Sequence, residues 1–239
     1  MGKCIYLRKG EVHTPPVVGI KAFDLPIGQI VKLMEGGVET EFIVVNQGIP
    51  ENSSLYDASC NGTWLLRKDI KENRVWNSSN NNTYSTSTIN TWLNGDYFNS
   101  LGTIEQGVVK QVKIPYVNGD GVSGTIATGA NGLSTKIFFC SGTELGVSGG
   151  ALRVEGAKLS YFVAGTSGNT GRVAYLSGTA SAWWTRSPSN DARNDALSIN
   201  TNGSGSFSII VSSASGVRPC LILPSTSLFN RNTYVLLGG

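Results

Sequence analysis

The sequence predicts an α+β protein of short antiparallel strands, two short helices and long irregular loops. Apolar, β-branched runs of four or five residues recur along the chain, and glycine, proline or asparagine clusters separate them. Only two segments carry the signals of a helix start. Glycine accounts for 30 of the 239 residues, well above its usual share of about 7%. Together these observations indicate many strands joined by many turns.

Charge and hydropathy exclude several classes of protein. Charged residues make up 15% of the chain and the net charge is +3, which gives little attraction for nucleic acid. No apolar run approaches the roughly 20 residues needed to cross a bilayer, so we expect no membrane insertion. The first six residues lack the apolar stretch of a secretory signal. We therefore expect no signal peptide and synthesis in the cytoplasm, while the 40% hydrophobic content suffices for one core.

The first segment, residues 1–26, is predicted to be an arm that serves attachment or oligomerisation. Thr14 precedes Pro15 and Pro16, and consecutive prolines favour extended backbone and exclude a helix. The alternative is a poorly ordered terminus. The remaining residues, 27–239, are predicted to form one domain.

The domain is expected to begin with a hairpin. Residues 30–33 and 42–45 are apolar runs, and Gly36 and Gly37 stand between them. Residues 63–67 are predicted to form a third strand. The polar tract 77–83 then indicates a surface loop.

Two short helices follow. Residues 87–95 have Ser87 as an N-cap candidate and Gly95 as a stop signal. Residues 103–106 match a capping box, with Thr103 at the cap and Gln106 three positions later.

The rest of the chain is predicted to be strands and turns. Residues 113–116 return to extended chain, and residues 118–132 have the composition of turns with positive φ. The later strands are expected at residues 136–140, 180–186, 206–211 and 216–224.

Catalytic motifs are weak. Residues 146–150 match the G-x-S-x-G pattern of a nucleophile elbow around Ser148. The chemistry requires a histidine later in the chain, whereas the only histidine, His13, lies upstream in the arm. We interpret the match as a product of abundant glycine and serine, and we expect no catalytic residue.

Metal and cofactor sites are not expected either. The four cysteines, Cys4, Cys60, Cys140 and Cys220, lie far apart without a C-x-x-C pair, so we predict isolated reduced thiols in strands. Residues 118–131 hold asparagine and aspartate but lack the terminal glutamate of a twelve-residue calcium loop. The sequence predicts no bound metal and no cofactor.

The C-terminal third has an architecture suited to recognition. Residues 183–188 read Trp-Trp-Thr-Arg-Ser-Pro, and residues 216–221 read Gly-Val-Arg-Pro-Cys-Leu. Between these two predicted strands, residues 189–215 are polar and small. Loops held by rigid strands are a usual place for binding.

These residues carry a family resemblance. The pattern W-W-x-R-S-P followed by G-V-R-P-x-L resembles a C-type-lectin-like family that is frequent in gut bacteria and their phages. Further similar blocks lie at residues 27–33, 64–67, 87–94 and 114–116. The opening residues 6–11 also resemble phage relatives.

The resemblance extends to the variable proteins of diversity-generating retroelements, which share this fold. Randomising adenines in AAY codons never produces Lys, Glu, Gln, Met or Trp, and residues 187–216 contain none of these five. The whole tail after Trp184 also lacks them. Programmed diversity and ordinary composition are therefore both open.

The resemblance implies a division between scaffold and ligand-binding residues. Trp183, Trp184, Arg186, Val217 and Arg218 would be scaffold, packed in the core. Only about half of residues 206–213 can face a ligand, because strand side chains alternate. An ordinary solvated loop is the alternative. The ligand-binding face would comprise Asn190, Asp191, Arg193, Asn194, Asn200, Asn202, Ser206, Ser208, Ile209, Ile210, Ser212 and Ser213.

The function that the resemblance implies is a phage or prophage virion-associated protein for host receptor recognition. Its partners would be a host cell-surface protein or glycan, other virion proteins through the arm, and further copies in a homo-oligomer. The calcium-binding motifs of sugar-binding lectins are absent, so calcium-dependent sugar binding is not expected. Two alternatives are an enzyme similar to formylglycine-generating enzymes, acting through Cys220, and a purely structural virion protein.

Overall fold

The computed structural model describes residues 18–165 and 169–239 of the chain. These residues form nineteen short strands, three short α-helices and isolated 3-10 turns. The first ten strands are β1 (Gly19–Lys21), β2 (Ile30–Glu35), β3 (Val38–Gln47), β4 (Thr63–Arg67), β5 (Asn73–Val75), β6 (Val112–Ile114), β7 (Tyr116–Asn118), β8 (Thr125–Ala127), β9 (Leu133–Thr135) and β10 (Ile137–Phe138). The helices are α1 (Thr88–Trp92), α2 (Phe98–Ser100) and α3 (Thr103–Val108). The remaining strands are β11 (Tyr175–Leu176), β12 (Thr179–Ala180), β13 (Trp183–Pro188), β14 (Asp195–Ile199), β15 (Gly205–Ile210), β16 (Ala214–Gly216), β17 (Cys220–Leu223), β18 (Leu228–Asn230) and β19 (Leu236–Gly238).

Two five-stranded sheets organise the described residues. The first has the strand order β10-β17-β4-β3-β2, and the second has the order β15-β14-β13-β16-β5. The pairs in both sheets are antiparallel except β13 with β16, which is parallel. With only short helices beside these sheets, the α+β class predicted from the sequence is confirmed.

The predicted hairpin and the third strand are confirmed. β2 and β3 pair from Ile30↔Ile43 to Glu35↔Val38. Gly36 and Gly37 turn the chain with φ of 61° and 80°, which is the conformation that a two-residue type I′ turn requires. β4 begins and ends at the residues that the apolar run indicated.

The first predicted helix is confirmed at its start but not at its end. The Ser87 hydroxyl accepts a hydrogen bond from the Asn90 N–H at 3.2 Å, as an N-cap does. The helical segment does not end at Gly95. It continues through a π-helical turn, Leu93–Tyr97, into α2, because Leu93 and Tyr97 are buried at 0% and 1% exposure and their packing outweighs the weak helix propensity of glycine.

The second predicted helix is confirmed, whereas its cap is not. Gly102 is the N-cap residue of α3, and no side chain caps the helix there. The Glu105 carboxylate instead accepts a hydrogen bond from the Met34 N–H at 2.9 Å. The Gln106 side chain donates to the Leu101 carbonyl at 2.6 Å. One tertiary contact and one local contact therefore take the place of the predicted capping box.

Several later strands are shorter than predicted. The run 136–140 yields only β10, and the run 180–186 is divided between β12 and β13. The run 216–224 is likewise divided between β16 and β17. The predicted turn region 118–132 contains one strand, β8, and has positive φ at Gly119 and Gly129. The second division carries the chain from one five-stranded sheet, with β16, to the other, with β17.

The core consists of two hydrophobic clusters. One includes Trp76 and Trp184, and the other includes Trp64 and Trp183. Consecutive strand residues point to opposite faces of a sheet, so Trp183 and Trp184 contribute to different clusters from adjacent positions.

The predicted arm overlaps the described residues only from Val18 onward. β1 pairs antiparallel with β18, and Ala22 is fully buried. These residues are therefore part of the body, because the sheet edge supplies their backbone hydrogen bonds. Residues 1–17, with His13 and Cys4, lie outside the described residues. Within the described ranges, no helix is long and apolar enough to cross a membrane.

Candidate binding surface

Strand β13 provides the base of the candidate surface. Trp183 and Trp184 are fully buried, and each indole N–H donates to a backbone carbonyl oxygen at 2.9 Å. Val217 and Arg218 are buried at 0% and 1% exposure. With the fully buried Arg186, these residues are packed in the interior, as expected of scaffold.

Arg186 joins β13 to three other parts of the chain. Its guanidinium donates to the carbonyl oxygens of Pro115, Phe139 and Glu155 at 3.1, 2.9 and 3.2 Å. It also forms a bidentate ion pair with the Glu144 carboxylate. Burial opposes the charged form, yet the Glu144 carboxylate raises the pKa of Arg186 above its usual value. The loop that follows β13 therefore starts from a strand that buried hydrogen bonds and an ion pair hold in place.

Asn82 holds the loop between β13 and β14. Its side-chain N–H groups donate to the carbonyl oxygens of Ser189, Ala192 and Asp195 at 3.1, 2.8 and 2.8 Å. Its backbone N–H donates to the Arg193 carbonyl at 2.8 Å. Asn82 is fully buried, so the prediction that residues 77–83 form a surface loop is wrong at this position. The loop 189–195 folds around an amide that satisfies its carbonyl groups.

A third segment, the turn 120–123, packs against the same loop. The Gly121 N–H donates to the Asn82 side-chain oxygen at 3.0 Å. A Cβ atom at Gly121 would lie 1.9 Å from the Ser189 carbonyl oxygen, so only glycine permits this approach. Arg153 donates to the Gly121 and Val122 carbonyl oxygens. The turn is thus held from both sides.

An exposed ion pair connects the loop and the turn at the surface. The Arg193 Nη1 lies 2.7 Å from the Asp120 Oδ2, with side chains 63% and 18% exposed. Two hydrogen bonds from Ser123, with a smaller contribution from Arg193, lower the pKa of Asp120. The Asp120 carboxylate therefore holds the turn 120–123 against the loop 189–195 through Arg193.

Residues 209–213 complete one continuous surface. The Val211 N–H donates to the Asn194 carbonyl at 2.9 Å, and Ile210 pairs with Asp195. We call residues 120–123, 190–194 and 209–213 the loop face. Several of its predicted ligand-binding side chains are exposed, and three are half-buried. The exposed ones are Asp191, Arg193, Ile210, Ser212 and Ser213, and the half-buried ones are Asn190, Asn194 and Ile209.

The predicted set does not form one cluster. Asn200, Asn202 and Ser206 lie at the opposite end of the β14–β15 hairpin. Five residues of β14 separate the two ends, which is about 13 Å at the usual rise of a strand. The Asn202 carboxamide oxygen accepts hydrogen bonds from the Ser204 N–H and hydroxyl at 3.0 and 2.7 Å, so it forms the turn. The Ser208 side chain lies outside the described part of the chain.

Sequence reasoning missed Asn82, Asp120, Gly121 and Arg153, which shape the loop face. Each acts through contacts with residues more than 30 positions away. No local pattern signals such contacts. The one available hint was the combination of asparagine and glycine in two segments that the sequence marks as turns.

The motif around Ser148 has no catalytic setting. Residues 147–150 lie in a loop rather than in a turn from a strand to a helix, and Ser148 is exposed. His13, the only histidine of the chain, is outside the described residues. The nucleophile elbow that the motif would require is absent from this segment.

The three described cysteines, Cys60, Cys140 and Cys220, are buried free thiols. Although distant in sequence, Cys140 and Cys220 lie in neighbouring parts of the fold, because Phe138 of β10 pairs with Cys220 of β17. Burial raises the pKa of Cys60 to about 12, and burial also raises the pKa of Cys220 well above its usual value. Reactive cysteines need a lowered pKa and access to solvent, and neither Cys60 nor Cys220 has these two properties.

Within residues 18–165 and 169–239, no group of three acidic, histidine or cysteine side chains is placed to hold a metal ion.

The fold and the loop face define an α+β protein in which buried polar side chains shape an exposed set of loops. The family profile described as "Domain of unknown function (DUF6273)" matches residues 61–225. The chain belongs to this family. No curated protein and no solved structure matches it.

Proposed function

We propose that this chain is a binding protein of a phage or prophage particle, with a C-type-lectin-like fold, that presents the loop face to a receptor on the host surface. One observation carries the proposal. The backbone of loop 189–195 is held from inside by Asn82, whereas Asp191 and Arg193 point outward and are exposed.

This arrangement separates stability from recognition. A loop that is ordered before binding loses less conformational entropy when the ligand arrives. Replacing Ser212 or Ser213, both exposed, leaves the buried contacts intact, and surface changes of this kind usually alter stability by less than about 0.5 kcal/mol. The loop face can therefore accept many sequences on one scaffold, which is what a diversified receptor-binding surface needs.

The composition of the loop face favours hydrogen bonds and small apolar contacts. Serine and asparagine supply five of its fourteen residues, and the exposed apolar side chains include Val122 and Ile210, at 37% and 47% exposure. Its partner would be a cell-surface protein or a glycan of the host. Several copies joined in one particle, for example through residues 1–26, would multiply a weak affinity by avidity.

A binding screen tests the receptor proposal. The full chain, labelled with a fluorophore, is applied to glycan arrays and to whole cells of gut bacteria. One variant combines Asp191→Ala, Ile210→Ser and Ser212→Trp, and its matched control combines Asn200→Ala with Asn202→Ala at the far end of the hairpin. We expect binding of the native chain and the control, and at least a tenfold loss for the loop-face variant. Equal binding by both variants would contradict the proposal.

The genetic part has its own test. Sequencing the neighbourhood of the gene should reveal tail genes, a reverse transcriptase and a near-repeat of the 3′ coding end. Absence of the last two would remove the retroelement but leave receptor binding standing.

Electron microscopy of particles that carry a labelled chain tests the virion location. A label on an outer tip or fibre supports receptor binding. A label enclosed in the shell or the tail tube would favour the purely structural alternative.

A further inference from the structure

Trp92 differs from the other tryptophans of the chain. Trp64, Trp76, Trp183 and Trp184 are all fully buried, and each donates its indole N–H to a backbone carbonyl. Trp92 is only partly buried, and its indole N–H donates to none of the described residues. A tryptophan with an apolar body and a free polar tip is typical of binding sites.

Arg74 is held in place beside Trp92. Its guanidinium carbon lies 4.1 Å from the centre of the indole ring, a cation–π contact. Its Nε also donates to the Glu72 carboxylate. Among the described residues no acceptor takes its Nη1 or Nη2 hydrogens. Arg74 thus presents free donors from a preorganised position.

These side chains line an open cavity of about 440 Å³ between β5 and α1. Its walls include Glu72, Asn73, Arg74, Val75, Trp92 and Ala214. The volume lies within the usual range of small-molecule sites, about 300–1,000 Å³. The cavity adjoins the loop face at Ala214, which follows Ser213 in the chain.

The lining is charged but close to neutral overall. An anionic ligand would be repelled by the Glu72 carboxylate, and a cationic one by the Arg74 guanidinium. A neutral ligand with several hydroxyl groups would use both charges, because Glu72 accepts and Arg74 donates. Asn73 can do both, the Trp92 indole N–H can donate, and Val75 offers apolar contact to C–H groups. This combination matches the alternating hydroxyl and C–H surface of a sugar.

We infer that this cavity binds a neutral saccharide unit. The inference uses none of the loop-face residues and does not depend on the proposed receptor function. A glycan on the loop face and a saccharide in this cavity are separate events, which separate variants can abolish.

The test uses the full chain and Trp92 fluorescence. Neutral mono- and disaccharides are titrated while acrylamide quenching is followed, with a sialylated sugar and an amino sugar as charged probes. Because the other four tryptophans are buried, Trp92 should provide most of the quenching. We expect a neutral saccharide to protect Trp92, and the charged probes to protect it at least tenfold less well.

Variants locate the site. Ala214→Phe fills the cavity from an exposed position and should weaken saccharide binding at least tenfold by calorimetry. Thr86→Phe, exposed on a 3-10 turn outside the cavity lining, is the matched control and should bind normally. Equal thermal unfolding of both variants shows that the fold is intact. Failure of every neutral saccharide to bind, stronger binding of a charged probe, or unchanged binding by Ala214→Phe would each overturn the inference.

Discussion

The Arg186 guanidinium and the Glu144 carboxylate form a bidentate ion pair inside the protein, with Nη1–Oε2 and Nη2–Oε1 distances of 2.5 and 2.7 Å. Both side chains have zero exposure. Arg186 lies in the Trp-Trp-Thr-Arg-Ser-Pro strand, three residues before loop 189–195 begins. This fully buried charge pair therefore anchors the strand that leads into loop 189–195, a part of the surface proposed to bind a receptor.

Glu144→Gln should strongly destabilise the fold. The substitution leaves the Arg186 charge buried without its counter-ion, and breaking such pairs usually costs about 3–5 kcal/mol. Chemical denaturation monitored by tryptophan fluorescence measures the change. Glu41→Gln, which breaks the exposed pair with Lys68, is the control and should cost less than about 1 kcal/mol.

A double variant separates charge from packing. Combining Glu144→Leu with Arg186→Met removes both charges and should be more stable than Glu144→Gln, since apolar replacements of buried ion pairs are often tolerated. If Glu144→Gln and Glu41→Gln cost the same, the ion pair is not the structural support that the geometry indicates.

Asn82→Ala should loosen loop 189–195. It removes donors from three carbonyl oxygens and the acceptor of the Gly121 N–H, and an unsatisfied buried group costs about 1–3 kcal/mol. Hydrogen exchange of residues 189–195 should rise severalfold more than exchange in β4.

Asn82→Asp sharpens this prediction. Aspartate keeps the acceptor for the Gly121 N–H but turns a negative charge toward carbonyl oxygens, so it should be at least as damaging as alanine. Asn118→Ala, at an exposed position in β7, is the control and should leave exchange unchanged. Normal exchange in both Asn82 variants would show that other contacts hold the loop.

Gly121→Ala should destabilise the protein and displace the turn 120–123 from the loop. The added Cβ would lie 1.9 Å from the Ser189 carbonyl oxygen, and relieving such overlap usually costs about 1–3 kcal/mol. Gly95→Ala is the matched control, because a Cβ there meets no atom within 4 Å. Since Gly95 lies in a helical turn, alanine should add up to about 1 kcal/mol of stability. Thermal unfolding of both variants should therefore shift in opposite directions.

The Asp120 turn should respond to acid. Hydrogen bonds from Ser123, and to a smaller extent the Arg193 charge, lower the pKa of Asp120 from 3.8. Its stabilising effect is therefore complete above pH 3.8 and is lost as the pH falls through the lower value of the folded state. Amide exchange at Val122 and Ser123 should rise over this acidic range and stay flat from pH 5 to 7. Asp120→Asn should abolish the transition, and a transition that persists in this variant would assign the effect to another group.

Local patterns predicted the elements that local chemistry controls. The β2–β3 turn needs two residues with positive φ, and only the pair Gly36-Gly37 supplies them cheaply. Ser87 caps α1 through its own neighbours. Gly95 shows the limit of this reasoning, because its helix continues for tertiary reasons: the Leu93 and Tyr97 side chains are buried in the core.

The sequence likewise predicted some features of the candidate site and not others. Sequence reasoning placed Trp183, Trp184 and Arg186 in the scaffold, and their burial agrees. It grouped Asn200 and Asn202 with Asn190, which the β14–β15 hairpin places at its opposite end. A list of polar residues in one segment does not show which end of a strand each one occupies.

The sequence by itself determined the class of fold, the principal strands and the turns, because β-branched runs, glycine pairs and caps act over a few residues. Only the tertiary structure decided that Asn82 is interior, that Gly121 touches Ser189, and that Arg186 meets Glu144. These relationships join residues 42–113 positions apart. Burial turns such contacts into strong constraints, since a polar group removed from water must find its partner inside the protein. The low charge and abundant glycine of the sequence indicate a weakly charged protein with many turns. The buried polar contacts explain how the loops of the loop face are held in place.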